Sequence, residues 1–107
     1  MITNKHAEDF IQALDESRFY DAHEVLEELW FDNRKNPTNE VNLLRGFINA
    51  AVSFELNKRG KTEASKRVWR NYLKYRQLVF KTGSNKVKIY YNISLYIDNL
   101  YKKTQLF

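Results

Sequence analysis

No cysteine occurs in the chain. Disulfides and thiolate metal centres are therefore excluded, and the chain suits a reducing, cytoplasmic setting. Proline appears once and glycine three times, too seldom for a disordered or fibrous chain. Gly46, Gly60 and Gly83 stand apart, so no glycine-rich loop is present to cradle a phosphate. Long apolar runs are missing too. The most apolar stretch, Phe47 to Phe54, contains Asn49 and Ser53 and is closed by Arg45 and Glu55. A bilayer takes about 20 apolar residues to cross, so no membrane partner is expected. The opening Met1-Ile2-Thr3-Asn4-Lys5 lacks the apolar segment of a secretory signal. No serine, histidine and aspartate order suggests a nucleophile elbow.

What is present points to a packed helical domain. Aromatic residues make up 15% of the 107 positions. A chain of this size buries roughly 60–68% of its unfolded surface, enough for one core. The net charge of +5 hides an asymmetry. Residues 1–40 carry ten acids and four bases, and residues 41–107 carry three acids and fourteen bases. The two halves attract each other, which favours an antiparallel bundle, and the basic half is also a candidate surface for anions.

Apolar periodicity predicts an all-α, compact bundle of about five helices in a single domain. Ala7, Phe10, Ile11 and Leu14 define a first helix over about 4–16, capped by Thr3 or Asn4. A second begins near Tyr20 and fades by Asn33, with Asp21 and Glu24 as a capping box or Ser17 as the cap. Pro37 separates it from a third helix over roughly 39–59, which stops before Gly60. That helix is apolar around most of its circumference, as a central helix should be. A fourth, capped by Thr62, runs to near Gly83. Val87, Ile89 and Tyr91 alternate as a strand does, so an extended linker is expected before a short last helix from Ser94 to Lys103. Tyr90, Tyr91 and Tyr96 are candidates for a homo-oligomer contact or, equally, for covering the core.

Polar residues that fall inside apolar arcs are the candidate site. His23 lies beside Trp30 on the arc of the second helix, Glu27 lies at its edge, and Glu24 and Glu28 point further out. On the third helix Glu55 sits mid-arc, with Arg45 and Asn49 on its flank. On the fourth, Arg76 projects between Tyr72 and Trp69. A buried charge needs a partner, so Glu55 and Arg76 are expected to be close, in a network that takes in His23 or Asn49.

His23-Glu24-Val25-Leu26-Glu27 begins like a zinc protease helix, but that chemistry needs a second histidine four residues on, to share the metal. Glu27 stands there, and His6 lies on another helix. Di-iron bundles need glutamate three residues before histidine, where this chain has Tyr20. Two readings remain: a divalent metal ion held weakly by His23, Glu27 and Glu55, or no metal at all. Lys66, Arg67, Arg70 and Lys74 form a basic face on the fourth helix, able to meet phosphates or nucleic acid, although no nucleic-acid motif accompanies it.

Phe19-Tyr20-Asp21-Ala22-His23-Glu24-Val25-Leu26-Glu27-Glu28-Leu29-Trp30 resembles the signature of the domain of unknown function 309 family. Leu44-Arg45-Gly46-Phe47-Ile48-Asn49-Ala50-Ala51-Val52, followed by Gly60 and Ala64, is similar to that family's second block. The resemblance implies a compact bundle of about five helices and a predicted metal-dependent hydrolase, with the acidic and imidazole signature falling on His23, Glu24 and Glu27. The second block departs from the family pattern. Arg45 and Asn49 stand where glutamine is usual, and Glu55 lies near the place of a histidine.

Three functions follow as expectations. The first is a structural or binding module whose polar cluster sets helix register. The second is a metal-dependent hydrolase with His23, Glu27 and Glu55 as ligands and Glu24 or Glu28 as base. The third is anion or nucleic-acid binding through Lys66, Arg67, Arg70 and Lys74.

Overall fold

A computed structural model of the chain describes residues 1–105. It contains five helices: α1 (Asn4–Asp15), α2 (Phe19–Asn33), α3 (Asn39–Lys58), α4 (Thr62–Arg76) and α5 (Val87–Gln105). The all-α bundle read from the periodicity is what the chain forms. Among the described residues no helix is long and apolar enough to cross a membrane.

Helix α3 is the hub. It packs on α2, α4 and α5, and buries Val41, Leu43, Leu44, Gly46, Phe47, Ala50, Ala51, Ser53 and Phe54. A helix buried on so many sides reads as apolar almost all round, which is why its place was legible. Its ends are local features. The Thr38 side chain accepts the Val41 backbone N–H at 3.2 Å, and Gly60 adopts φ +78°, a conformation that costs glycine nothing. Thr3 caps α1 in a reciprocal box with His6, whose Nδ1 accepts the Thr3 N–H at 3.0 Å.

Helix α4 lies antiparallel to α3, and two contacts set the register. Ser53 and Ser65 each donate a hydroxyl hydrogen bond of 2.8 Å to the other's carbonyl. Ten residues further along α4, a Cβ built on Gly46 would lie 2.6 Å from the Cβ of Tyr75. Gly46→Ala is expected to destabilise by about 1–2 kcal/mol, because overpacking of about 1–3 kcal/mol outweighs the gain in helix propensity. Chemical denaturation measures it, and a variant as stable as the parent would show that α3 and α4 can separate there at little cost.

Four boundaries differ from the sequence reading. Helix α4 stops at Arg76 rather than near Gly83. The bonds Leu78 N–H to Tyr75 O and Lys81 N–H to Leu78 O span three residues, and this tighter winding turns Val79 into the core. The Asn39 amide then holds the Lys81 carbonyl at 2.8 Å. Thr62 is not a cap: Lys61 occupies that position without a side-chain bond. Neither Ser17 nor Asp21 caps α2. Arg18 stands at its N-cap, and its guanidinium bridges Glu16 and Asp21 across the turn.

The largest difference is α5, which begins at Val87 with no extended linker of the kind the alternation suggested. Tyr90, Ile93 and Ile97 are all fully buried at helical spacing. A strand there would leave its backbone N–H and C=O groups without a neighbour to pair with. Ser94 is mid-helix and donates to the Tyr91 carbonyl at 2.7 Å. The Ser84 hydroxyl takes the Lys86 N–H at the start of the helix instead. Tyr90 is fully buried, so it offers nothing to a partner chain, and Tyr96 is tied to Asp15 at 2.8 Å. Tyr91 remains exposed beside Phe80.

Candidate functional site

The second helix carries the candidate site because of its spacing. His23 and Glu27 lie four residues apart, so their side chains share one face. His23 Nε2 is 2.9 Å from Glu27 Oε2, and the imidazole is half-buried. Glu24 starts on the outer face, as the wheel implies, but its side chain folds back to place Oε1 3.5 Å from His23 Nδ1. Each ring nitrogen therefore faces its own carboxylate. One donor atom from each of His23, Glu24 and Glu27 lies within 4.8 Å of the others. Glu24 also stands close to the exposed Tyr20 hydroxyl, and its negative charge holds that hydroxyl's pKa above the ordinary value.

Glu55 faces the same cleft but does not join this group. The cleft, about 260 Å³ in volume, lies between α2 and α3, and Phe19, Tyr20, His23, Val52, Glu55, Leu56 and Arg59 line it. Arg59 Nε donates to Glu55 Oε1 at 3.0 Å.

The expected approach of Glu55 and Arg76 does not occur. Arg76 pairs with Asp98 of α5 at 3.1 Å, and the other oxygen of Asp98 accepts the Tyr72 hydroxyl at 2.9 Å. The wheel gives the direction of a side chain around its helix and not its height along it. With Ser53 opposite Ser65 and Gly46 opposite Tyr75, Glu55 stands near the start of α4. Arg76 ends α4, about 18 Å further along the axis at 1.5 Å per residue.

The other candidate residues are dispersed. Arg45 is exposed, with its guanidinium 6.0 Å from the Tyr75 ring. The Asn49 amide bonds the Arg45 carbonyl at 2.8 Å. Glu27, Trp30, Arg45, Ile48 and Asn49 share a shallow recess on the other flank of α2. Glu28 lines a separate hollow with His6 and Asp32. Lys66, Arg67, Arg70 and Lys74 are all exposed on α4. Lys66 is 3.9 Å from Glu63, and Lys74 lies 5.4 Å from the Tyr75 ring.

Tyr20 and Asp98 were not among the residues singled out from sequence, and Arg59 was read only with Lys58 and Lys61 as part of the basic group around the fourth helix. Arg59 was legible as the partner of Glu55, since four residues separate them on one helix. Asp98 lay within the expected last helix but was hidden because its partners, Tyr72 and Arg76, belong to another helix far away in the chain.

One imidazole and two carboxylates are suitable donors for zinc, manganese or iron(II). All three come from one helical turn and are partly open to water, so an ion held there would be reachable by water or a ligand. The fold and this cluster define a small all-helical protein carrying a His-Glu-x-x-Glu group with the make-up of a metal site. The chain belongs to the family described as Domain of unknown function (DUF309), which matches residues 7–68. No curated protein and no solved structure matches the chain.

Proposed function

We propose that this chain is a binding module that holds a divalent metal ion through His23, Glu24 and Glu27, at the edge of the cleft between α2 and α3. The observation that carries this reading is the proximity of the three residues, one donor atom from each lying within 4.8 Å of the others. When bound, the ion supplies a Lewis-acid position for an oxygen-bearing ligand. The imidazole is oriented by packing beside the Tyr20 ring, 5.9 Å between centroids, and the two carboxylates offset the ion's charge.

A metal that binds only the folded chain must raise its melting temperature. Metal-stripped protein is expected to gain about 2.7 kcal/mol when zinc or manganese reaches about 100 times its dissociation constant, a shift of several degrees for a domain of this size. His23→Ala should remove at least nine-tenths of that shift. An unchanged melting temperature for the parent across a saturating range of both ions would sink the proposal.

Metal-dependent hydrolysis is the second reading, favoured by partly exposed donors beside a lined cleft. It needs a base. Glu24 serves as a ligand in this reading, and Glu28 faces the separate hollow with His6 and Asp32. Glu55 is the carboxylate that shares the cleft, and it is already engaged by Arg59 on its own helix. Binding is therefore the better-supported function.

A further inference from the structure

We infer that the cleft between α2 and α3 is a binding site for a small monoanion with an apolar body, such as an aryl or short alkyl carboxylate. Three features of the cleft select that class.

The first is size. At about 260 Å³ it falls below the range of pockets that take drug-sized molecules, about 300–1,000 Å³. A single ring or a short chain is the size class that suits such a space.

The second is the wall. Val52 and Leu56 come from successive turns of α3, and Phe19, only 7% exposed, closes the floor. Tyr20 stands at the mouth, 63% exposed. A ring or short chain laid on this wall removes its own apolar surface and that of Val52 and Leu56 from water, which is favourable in proportion to area.

The third is charge. Arg59 contributes the guanidinium, and only its Nε is engaged, with Glu55. The terminal nitrogens make no hydrogen bond among the described residues, and the side chain stays open to solvent. A guanidinium presents paired donors that match a carboxylate bidentately. Glu55, one turn earlier on α3, fixes the arginine at the cleft's edge and competes with the incoming anion. The two residues therefore carry opposite predictions: losing Arg59 weakens binding, and neutralising Glu55 strengthens it. A neutral ligand would feel neither change.

The inference does not need the metal, because Arg59 alone supplies the anion contact. A metal at His23, on the rim of the same cleft, would add a second attraction.

The test is a titration of the whole chain with benzoate, hexanoate and uncharged benzamide, followed by backbone amide NMR and repeated with zinc. Benzoate is expected to move the amides of Tyr20, Val52 and Leu56 saturably, with a dissociation constant in the millimolar range. Benzamide should bind at least tenfold more weakly. Arg59→Gln should lose at least tenfold in benzoate affinity, and Glu55→Gln should gain two- to fivefold, both with the parent's melting temperature. Should Arg59→Gln fold poorly, Glu55→Gln and benzamide still decide the matter. Equal binding of benzoate and benzamide, or no saturable movement at those amides, overturns the inference. Zinc stabilisation without benzoate binding overturns it while leaving the metal reading intact. Benzoate binding without zinc stabilisation supports it and removes the metal reading.

Discussion

Phe47→Ala is expected to lower the folding free energy by about 3–5 kcal/mol, the range for truncating a buried aromatic ring. Phe47 is fully buried on α3. Its ring lies 6.5 Å from Phe10 of α1, 6.4 Å from Tyr72 of α4 and 6.1 Å from Tyr90 of α5, measured between centroids. Three helices therefore meet on this one side chain, and removing it leaves a cavity between rings that cannot all move inward together. Small domains have about 5–15 kcal/mol in total, so the variant should melt well below the parent. Guanidinium unfolding gives the difference. Phe80→Ala is the control, because Phe80 is 72% exposed and should change stability by about 0.5 kcal/mol or less. A loss under about 1 kcal/mol for Phe47→Ala would show that the rings around it close the gap, against the packing described.

The second large effect is alkaline unfolding. Tyr72 and Tyr90 are fully buried. Burial raises both hydroxyl pKa values well above the ordinary tyrosine range, and acidic neighbours add to this, Asp98 for Tyr72 and Glu40 for Tyr90. Each folded pKa thus lies above its unfolded value of about 10. The native chain holds these protons more tightly than the unfolded chain. Their contribution is complete below about pH 10 and is lost as pH rises toward the folded values. Each should remove about 1.4 kcal/mol per pH unit over that window. Tyr96, pushed up to about 12 by burial and then by Asp15, adds a smaller share from its more open position. Denaturant midpoints should be level from pH 8 to about 9.5 and fall steeply beyond. Tyr72→Phe should have a shallower fall. Stability that holds level through pH 11 and beyond would mean that the hydroxyls ionise without leaving the core.

Tyr90 shows what local sequence conceals. It stood with Tyr91 and Tyr96, open to a homo-oligomer contact or to a place over the core, and the alternation of Val87, Ile89 and Tyr91 fits a strand. The same residues fit a helix when Tyr90, Ile93 and Ile97 are counted together. Local spacing does not choose between these. A strand needs a neighbour to pair with, and the described residues form only helices, so the fold decides in favour of α5. The end of α4 was misjudged for a related reason, since burial of Val79 tightens the chain into turns that side-chain periodicity does not announce.

Within the candidate site, legibility followed the range of the interaction. His23 and Glu27 share a face of one helix, and four-residue spacing alone brings them together. The return of Glu24 to the other ring nitrogen depends on side-chain rotation, which the wheel does not carry. Glu55 and Arg76 shared an azimuth but not a height, and each took a partner at its own level, Arg59 and Asp98.

The amino-acid order by itself determined the helical class, the central place of α3, its Thr38 and Gly60 ends, and the pairing of His23 with Glu27. All of these depend on bonds and spacings within a few residues. Tertiary packing alone decided the start of α5, the burial of Tyr90, the Tyr72–Asp98–Arg76 group and the lining of the α2–α3 cleft. Those contacts join residues far apart in the chain, and their geometry exists only once helices have settled against one another at a particular height.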